Sequence, residues 1–210
     1  MGKPSHRISV WLVPPPKASQ ALEAVIASVA SRYKSPKFQP HITLLSFPAT
    51  PDIDPNALLP PRAQLPSTVP ITFQEVCTGK TYFQSVLIEL EKREDSVLQA
   101  LYNQVKTFTQ KNRGDPVSSA IEGTPSGTKP FYPHLSLYYG EPPMEVKEEI
   151  IDALAVEGAI SISGPLTVGG VEGGFHVSEI WVVRTEGPVE GWEVLQRVKL
   201  EGMEHSPQEV

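Results

Sequence analysis

Two histidine-centred tetrapeptides contain the residue types in this sequence that are suited to catalysis. They are His41-Ile42-Thr43-Leu44 and His134-Leu135-Ser136-Leu137, and each follows a proline. An imidazole titrates near neutral pH, so one histidine can act as a base while the other acts as an acid. The hydroxyl two positions after each histidine can donate a hydrogen bond to an oxyanion. The pair therefore predicts proton transfer at a phosphate group.

Both tetrapeptides have the pattern of a β-strand with one buried face. Side chains on a strand alternate between faces, so His41 shares a face with Thr43, and His134 shares a face with Ser136. The apolar residues between them point to the opposite face. A single His-x-Thr sequence is a weak signal. Two copies in matching strand contexts, in a chain with five histidines, favour a catalytic pair over two stray histidines.

The remaining elements must position these two strands. The residue pattern predicts the following order: strand 7–13, helix 17–33, motif strand 40–47, a hairpin of strands 69–77 and 82–91, helix 94–111, motif strand 132–139, helix 140–156, strands 159–163, 166–171 and 177–184, and a last run at 192–200 that is more like a strand than a helix. Neighbouring strands without intervening helices are typical of an α+β fold rather than a doubly wound parallel fold.

The order of these elements also suggests a diverged duplication. We expect a bilobal fold with two antiparallel sheets related by a pseudo-twofold axis, helices on the outside, and a central cleft that carries both His-x-Thr/Ser motifs. Each half of the sequence is expected to supply one motif strand to a separate sheet. The proline-rich segment 48–68 and the Gly/Pro-rich segment 112–130 are expected to be loops.

Composition limits the possible partners and compartments. The chain has 210 residues and a formal net charge of −6, which argues against a broad basic surface for long nucleic acid. A small anionic substrate in a local cleft remains compatible with this charge. No apolar run approaches membrane-spanning length, and the first residues lack the apolar core of a signal peptide. We therefore expect a cytoplasmic, monomeric protein without a membrane partner, forming one bilobal domain over residues 1–210 with a disordered tail at 201–210.

At this point the residues resemble a known family, the 2H phosphoesterase superfamily. Within it, the chain is most similar to the plant and fungal cyclic nucleotide phosphodiesterases linked to tRNA splicing. Besides the two motifs, the resemblance includes Ser9-Val10-Trp11, Phe38-Gln39-Pro40, Thr78-Gly79, Tyr82-Phe83-Gln84, Pro130-Phe131-Tyr132-Pro133, Tyr138-Tyr139, Trp192-Glu193 and Leu200.

The resemblance implies metal-free hydrolysis of a ribose cyclic phosphate. Typical substrates would be ADP-ribose 1″,2″-cyclic phosphate, opened to the 1″-phosphate, and nucleoside 2′,3′-cyclic phosphates, opened to 2′-phosphates. His41 and His134 would be the acid–base pair, in either order. Thr43 and Ser136 would hold the non-bridging phosphate oxygens.

Three aromatic residues are further candidates for substrate contacts: Tyr139, Trp192 and Tyr82. On an ideal strand Tyr139 lies opposite His134, so a bulge or a strand end would be needed to turn its ring into the cleft. Trp11 is expected to be a core residue, and Phe83 is expected to pack within the hairpin.

No cofactor is expected. No cluster of His, Cys, Asp and Glu has metal-ligand spacing along the sequence, so no metal is predicted either. The lone cysteine, Cys77, is expected to be an inert buried thiol. Two other functions remain open: an RNA 2′–5′ ligase-like or 3′-end-processing enzyme of the same superfamily, and a nucleotide-binding module without turnover.

Overall fold

The computed structural model describes residues 6–50, 53–113 and 130–200 of the chain. These residues form three α-helices, eleven β-strands and four short 3-10 turns. The helices and strands are β1 (His6–Val13), α1 (Pro16–Tyr33), β2 (Ile42–Ala49), β3 (Pro70–Thr78), β4 (Val86–Leu90), α2 (Val97–Arg113), β5 (His134–Tyr138), α3 (Met144–Val156), β6 (Ile160–Ser161), β7 (Thr167–Val168), β8 (Val171–Glu172), β9 (Gly174–His176), β10 (Glu179–Arg184) and β11 (Glu193–Lys199).

Eight strands form one antiparallel sheet in the order β11-β10-β1-β2-β5-β4-β3-β9. Its two four-stranded halves meet where β2 lies beside β5, through the pairing of Ile42 with Leu135. Both of these side chains are fully buried. The motif strands therefore lie next to each other at the centre, one in each half. Strands β6, β7 and β8 form a separate small sheet. The predicted α+β fold with antiparallel halves around a central pair of motif strands is confirmed.

The assignment of strands to the halves differs from the expectation. The hairpin β3–β4 pairs with β5 rather than with β2, and β10 and β11 complete the half that contains β1 and β2. The halves are also joined into one sheet rather than separated. Chain order could not reveal this, because strands distant in sequence take the places beside each motif strand.

Strand β1 illustrates how the sequence gives the sheet two different faces. Ile8, Val10 and Leu12 are at most 1% exposed and belong to the main core, which also contains the apolar residues of the three helices. The alternate residues of β1 point to the opposite face. The helices thus cover one face of the sheet and leave the other to form a cleft.

Helix α1 has clear start and stop signals. It begins at Pro16, where the fixed proline φ and missing N–H are compatible with the first helical position. It ends at Tyr33, and the next residue, Lys34, adopts the left-handed conformation with φ 55° two residues before Pro36. Its buried stripe includes Leu22, Val25 and Ile26, and the helix contacts β5 and β8.

Two predicted strands are shorter than expected. The strand expected from residue 82 begins at Val86, because Tyr82–Gln84 form a 3-10 turn. The run 166–171 is a small hairpin, because Gly169 and Gly170 both have positive φ and reverse the chain between β7 and β8. The last run, expected at 192–200, is the strand β11.

Residues 53–68 of the proline-rich segment pack against α2, whereas Pro48 and Ala49 are the last residues of β2. Leu58, Leu59 and Leu65 are at most 6% exposed, and Thr109 of α2 donates a hydrogen bond to the carbonyl of Leu58 at 2.8 Å. Most of the predicted loop 112–130 and the predicted tail 201–210 lie outside the described residues. None of the helices in the described parts of the chain is long and apolar enough to span a bilayer.

Candidate active site

The two motif histidines line the same cleft, which has a volume of about 540 Å³. His41 lies immediately before β2, and His134 is the first residue of β5. Thr43 and Ser136 line this cleft as well, so the structure brings together all four motif residues. Their catalytic and phosphate-binding roles remain predictions.

Both histidines are held by the backbone in the same way. The Nδ1 atom of His41 lies 2.6 Å from the carbonyl oxygen of Gln39, and Nδ1 of His134 lies 2.8 Å from the carbonyl oxygen of Tyr132. In each case the carbonyl belongs to the residue two positions earlier. A carbonyl oxygen only accepts hydrogen bonds, so Nδ1 carries the proton in the neutral ring. The Nε2 atom of each ring is then the one available for proton transfer.

His41 is the more enclosed of the two. Its side chain is 7% exposed and its ring stacks on Trp11, with centroids 3.7 Å apart and an interplanar angle of 12°. Burial lowers its pKa to about 4, against a smaller raising effect of the Gln39 carbonyl. The charge of His134 is a further, smaller cause of this lowered pKa, so His41 is neutral at neutral pH.

His134 is partly exposed, and its ring stacks loosely on Tyr132. Burial lowers its pKa as well, while the Tyr132 carbonyl raises it and the nearby Lys92 lowers it. The same backbone anchor therefore holds two imidazoles in environments of different burial.

A bulge in each motif strand changes the simple alternation. In β2, Thr43 pairs with Trp11 and Leu45 with Val10, so Leu44 is an extra residue. In β5, Ser136 pairs with Leu87 and Tyr138 with Val86, so Leu137 is the extra residue. The bulges thus fall at the fourth position of both motifs. Each bulge turns the residue two positions after it into the cleft. This residue is Ser46 in β2 and Tyr139 just after β5.

The two hydroxyl residues differ in what they contact. Ser136 donates a hydrogen bond to the carbonyl oxygen of Phe83 at 2.7 Å, which fixes the 3-10 turn beside β4. Thr43 makes no side-chain hydrogen bond within the described residues. Its hydroxyl is therefore free to donate to a ligand without breaking a contact.

The aromatic candidates separate into two groups. Tyr139 and Trp192 line the cleft, and the Tyr139 hydroxyl lies 3.5 Å from Nε2 of His41. Burial raises the pKa of Tyr139, so its hydroxyl stays a neutral donor. Tyr82 does not line this cleft; its ring contacts Phe83 and Tyr139 from outside. The role of Tyr82 in substrate binding stays a prediction, and its position outside the cleft does not support it.

Two aromatic residues of the cleft were expected elsewhere. Trp11 is buried, as expected for a core residue, but it forms part of the cleft wall and supports the His41 ring. Phe83 lines the cleft and is 49% exposed. The sequence around Phe83 did not predict that its ring lines the cleft, because the 3-10 turn decides whether Tyr82 or Phe83 faces inward.

Further cleft residues carry hydroxyl, amide or guanidinium groups that sequence reasoning did not select. They are Arg7, Ser9, Ser46, Thr81, Gln84 and Thr185. In β1, the residues Arg7, Ser9 and Trp11 follow the two-residue period on the face opposite the core, which is the signal that could have identified them.

One group of potential metal ligands does form within the described residues. Ligand atoms of Glu75, Cys77 and Glu89 lie within 4.8 Å of one another on the β3–β4 hairpin. Spacing along the sequence missed them because the residues face each other across two strands. Glu89 already accepts a hydrogen bond from Lys92 at 2.7 Å, and burial raises the pKa of the Cys77 thiol. A protonated thiol and a paired carboxylate are poorly suited to binding a metal ion.

The chain is similar to one described family and to several solved structures. The sequence pattern of the cyclic phosphodiesterase-like proteins matches residues 7–200. A crystal structure described as a phosphoesterase is 14% identical, with a TM-score of 0.55, over 94% of this chain and 99% of that chain. LigT of E. coli, complexed with ATP, is 14% identical with a TM-score of 0.53, over 94% and 99% of the two chains.

A third solved structure, the protein TT0787 of Thermus thermophilus, is 18% identical with a TM-score of 0.51, over 94% of this chain and 100% of that chain. At these identities the likeness concerns the fold. No curated protein sequence matches the chain.

Proposed function

The chain belongs to the cyclic phosphodiesterase-like family of 2H phosphoesterases, and from this we propose that it hydrolyses ribose cyclic phosphates without a metal ion. The substrates would be ADP-ribose 1″,2″-cyclic phosphate and nucleoside 2′,3′-cyclic phosphates. The observation that supports this best is the shared backbone anchor of the two histidines, which leaves both Nε2 atoms without the ring proton beside one cleft.

The reaction follows from two Nε2 atoms on either side of a bound phosphate. A water molecule attacks phosphorus and gives its proton to one imidazole. The bond from phosphorus to one ribose oxygen breaks, and the other imidazole protonates that oxygen. In-line displacement requires the acid and the base on opposite sides of phosphorus, which adjacent strands from two sheet halves can supply. The product is a phosphate monoester on the neighbouring ribose oxygen.

The different burial of the histidines suggests which one is the base. His41 has the more strongly lowered pKa, to about 4, and is the better candidate for the group that is neutral before the reaction. His134, which is partly exposed and less shielded from solvent, is then the acid. Thr43 and the neutral hydroxyl of Tyr139 would donate hydrogen bonds to the non-bridging oxygens, and Ser136 would join them after rotating away from Phe83.

We also propose that the protein acts as a cytoplasmic monomer with a single bilobal domain, on small nucleotides rather than long nucleic acid. The formal net charge of −6 supports this preference for small substrates. A fold of this kind holds a nucleotide in LigT of E. coli, which was crystallised with ATP.

Hydrolysis of a defined substrate panel tests the proposal. The protein is incubated with adenosine 2′,3′-cyclic phosphate, ADP-ribose 1″,2″-cyclic phosphate and a 2′–5′-linked oligonucleotide, and products are identified by phosphorus NMR. We expect the 2′-phosphate and the 1″-phosphate, with His41→Gln and His134→Gln lowering turnover by about 10²–10⁴-fold. Cleavage of the oligonucleotide alone would favour the ligase-like alternative. Binding of the nucleotides without hydrolysis would favour a module without turnover.

A further inference from the structure

A row of polar side chains extends from the histidines along the wall of the cleft formed by β1 and β2. Ser9 of β1 lies opposite Ser46 of β2, and Arg7 precedes Ser9 on the same face of β1. Thr185, just after β10, completes the row. These four residues line the same cleft as the histidines, and the catalytic steps above use none of them.

The hydrogen bonds in this row have a defined direction. Ser9 donates from its hydroxyl to the Ser46 hydroxyl oxygen at 3.1 Å. Since a serine hydroxyl has one proton, the 3.0 Å contact between Ser9 and Thr185 must have Thr185 as the donor. Arg7 donates from Nε to the same Ser46 oxygen at 3.1 Å. Ser46 therefore accepts two hydrogen bonds, and its own proton remains available to donate.

Two kinds of hydrogen-bond donor in the row are therefore not used within it: the proton of the Ser46 hydroxyl and the terminal nitrogens of Arg7. Within the described part of the chain, the two terminal nitrogens of Arg7 make no hydrogen bond, and no carboxylate lies at ion-pair distance from its guanidinium. Hydrogen bonds donated into Ser46 by a cation and by a hydroxyl strengthen the one that it can donate. A guanidinium beside such a hydroxyl is a suitable site for a phosphate group.

The two halves of the sheet differ at this position. Ser46 and Tyr139 each lie two residues beyond the bulge of their motif. One half therefore places a large ring beside the histidines, whereas the other places a small side chain that accepts a hydrogen bond from Arg7. Along β1, Ser9 is one two-residue step, roughly 6.6 Å, from Trp11, which supports His41. Arg7 lies two residues further along β1, and its Nε contact with Ser46, which pairs with Ser9, brings its guanidinium back to the level of Ser9. The separation between Ser9 and Trp11 suits two phosphate groups attached to the same ribose.

We propose that Arg7 and Ser46, supported by Ser9 and Thr185, form a second anion subsite that binds a phosphoryl group attached to the 5-hydroxyl of the reacting ribose. This inference rests on the proposed function, because the reacting ring is the one that carries the cyclic phosphate. The subsite would select substrates with a phosphorylated 5-position, such as the pyrophosphate of ADP-ribose or a nucleotide 5′-phosphate, over nucleoside cyclic phosphates that lack it.

A pair of substrates tests the selection. kcat/KM is measured for adenosine 2′,3′-cyclic phosphate and for the same compound with a 5′-phosphate, on the wild type and on Arg7→Gln. We expect the wild type to prefer the 5′-phosphorylated compound by on the order of tenfold, as for a hydrogen-bonded charge pair. Arg7→Gln should lower that preference to near one, mainly through the KM of the 5′-phosphorylated compound. Ser46→Ala should lower it by a smaller factor.

Arg197→Gln is the matched control. It removes the same charge from the same half of the sheet, but its guanidinium lies over the ring of Trp181 and does not line the cleft. This variant should keep the wild-type preference. Equal losses in Arg7→Gln and Arg197→Gln would indicate a general effect of net charge and would overturn the subsite.

A binding measurement separates the subsite from the proposed reaction. The dissociation constants of adenosine 2′-phosphate and adenosine 2′,5′-bisphosphate are measured by calorimetry on the wild type and Arg7→Gln. Tighter binding of the bisphosphate that depends on Arg7 supports the subsite even if no cyclic phosphate is hydrolysed. Equal binding of both nucleotides by a protein that hydrolyses cyclic phosphates would overturn the subsite and leave the function intact. If neither nucleotide binds, the subsite is wrong, and the proposed hydrolysis is decided by the substrate panel alone.

Discussion

The two motif histidines share one anchor but differ in their surroundings, and that difference should appear in the pH dependence. His41 is stacked on Trp11 and nearly closed off from solvent, whereas His134 keeps part of its surface exposed. Both pKa values are lowered by burial. The productive state has His41 neutral and His134 protonated. This state exists above the pKa of His41 and below that of His134.

We therefore predict a bell-shaped kcat/KM profile with its maximum on the acid side of neutrality. The rising limb should lie near pH 4, where His41 loses its proton, and the falling limb below the ordinary imidazole value of about 6.5. Rates of the wild type, His41→Gln and His134→Gln between pH 4 and 9 provide the measurement. The residual activity of His41→Gln should lack the rising limb, and that of His134→Gln should lack the falling limb. A maximum above pH 8 would contradict the assignment.

Replacing Thr43 or Ser136 with alanine should have different effects on kcat and on the free energy of unfolding. Thr43 has no hydrogen-bond partner within the described residues, so Thr43→Ala should lower kcat without changing the free energy of unfolding. Loss of a donor to a developing oxyanion costs up to about 10²–10³-fold in kcat, and Thr43→Ser should recover most of it. Ser136→Ala also leaves the Phe83 carbonyl without its donor, which should destabilise the fold by about 1 kcal/mol.

Urea unfolding and steady-state kinetics on the three variants separate these effects. Thr43→Ser is the control for Thr43→Ala, since it keeps the hydroxyl and removes only a methyl group. Equal kcat for Thr43→Ser and Thr43→Ala would show that the hydroxyl is not a phosphate donor.

At the level of the strands, the alternation of side chains between faces predicted where the motif residues lie but not where the residues beyond the bulges lie. The period of two correctly placed Thr43 with His41 and Ser136 with His134. It could not place Ser46 or Tyr139, because the bulges at Leu44 and Leu137 shift the faces. A bulge depends on pairing with a neighbouring strand, and a single sequence does not state which strand that is. The same limitation hid the cluster of Glu75, Cys77 and Glu89.

The connection between β3 and β4 depends on a glycine for its close packing. A Cβ atom at Gly79 would lie 1.8 Å from the carbonyl oxygen of Gln84, and Gly79 N–H donates to the Ser85 carbonyl at 3.0 Å. Lys147 of α3 donates to the Gly79 carbonyl at 2.8 Å. This connection carries Phe83 and Gln84 into the cleft, so its shape belongs to the active site.

We predict that Gly79→Ala destabilises the protein by about 1–3 kcal/mol and lowers kcat/KM by displacing Phe83 and Gln84. Gly164→Ala is the matched control, since a Cβ there meets nothing within 4 Å. Thermal unfolding and kinetics of both variants provide the measurement. A Gly79→Ala variant with wild-type stability and activity would show that the connection can shift without affecting the fold or the cleft.

The same hairpin carries the one group of potential metal ligands found among the described residues, and chelation tests whether it matters. We expect kcat/KM to be unchanged by excess EDTA, because Glu89 is paired with Lys92 and the Cys77 thiol is protonated. Glu75→Gln should keep activity within about twofold, because Glu75 is exposed and does not line the cleft. Loss of activity on chelation, with recovery on adding Zn²⁺, would contradict metal-free catalysis.

For the molecule as a whole, burying an imidazole beside an apolar ring makes the fold sensitive to acid. The pKa of His41 is about 4 in the folded protein and about 6.5 in an unfolded chain. Between these values the unfolded state binds more protons, so stability falls as pH decreases from about 6.5 to 4. The full pKa shift of His41 corresponds to a loss of about 3 kcal/mol in the free energy of unfolding. The lowered pKa of His134 contributes a further loss in the same direction.

We therefore predict that the free energy of unfolding decreases more steeply with acid in the wild type than in His41→Gln. Urea unfolding at intervals between pH 7 and pH 4.5 gives the slopes. His41→Gln should be less stable than the wild type at pH 7, because it loses the stacking on Trp11, and the gap should narrow as the pH falls. His176→Gln is the matched control, since this histidine is exposed on β9, and it should follow the wild-type curve. Parallel curves for His41→Gln and the wild type would mean that His41 takes up its proton in the folded protein as readily as in the unfolded chain, and the neutral base assigned to it would then have no support.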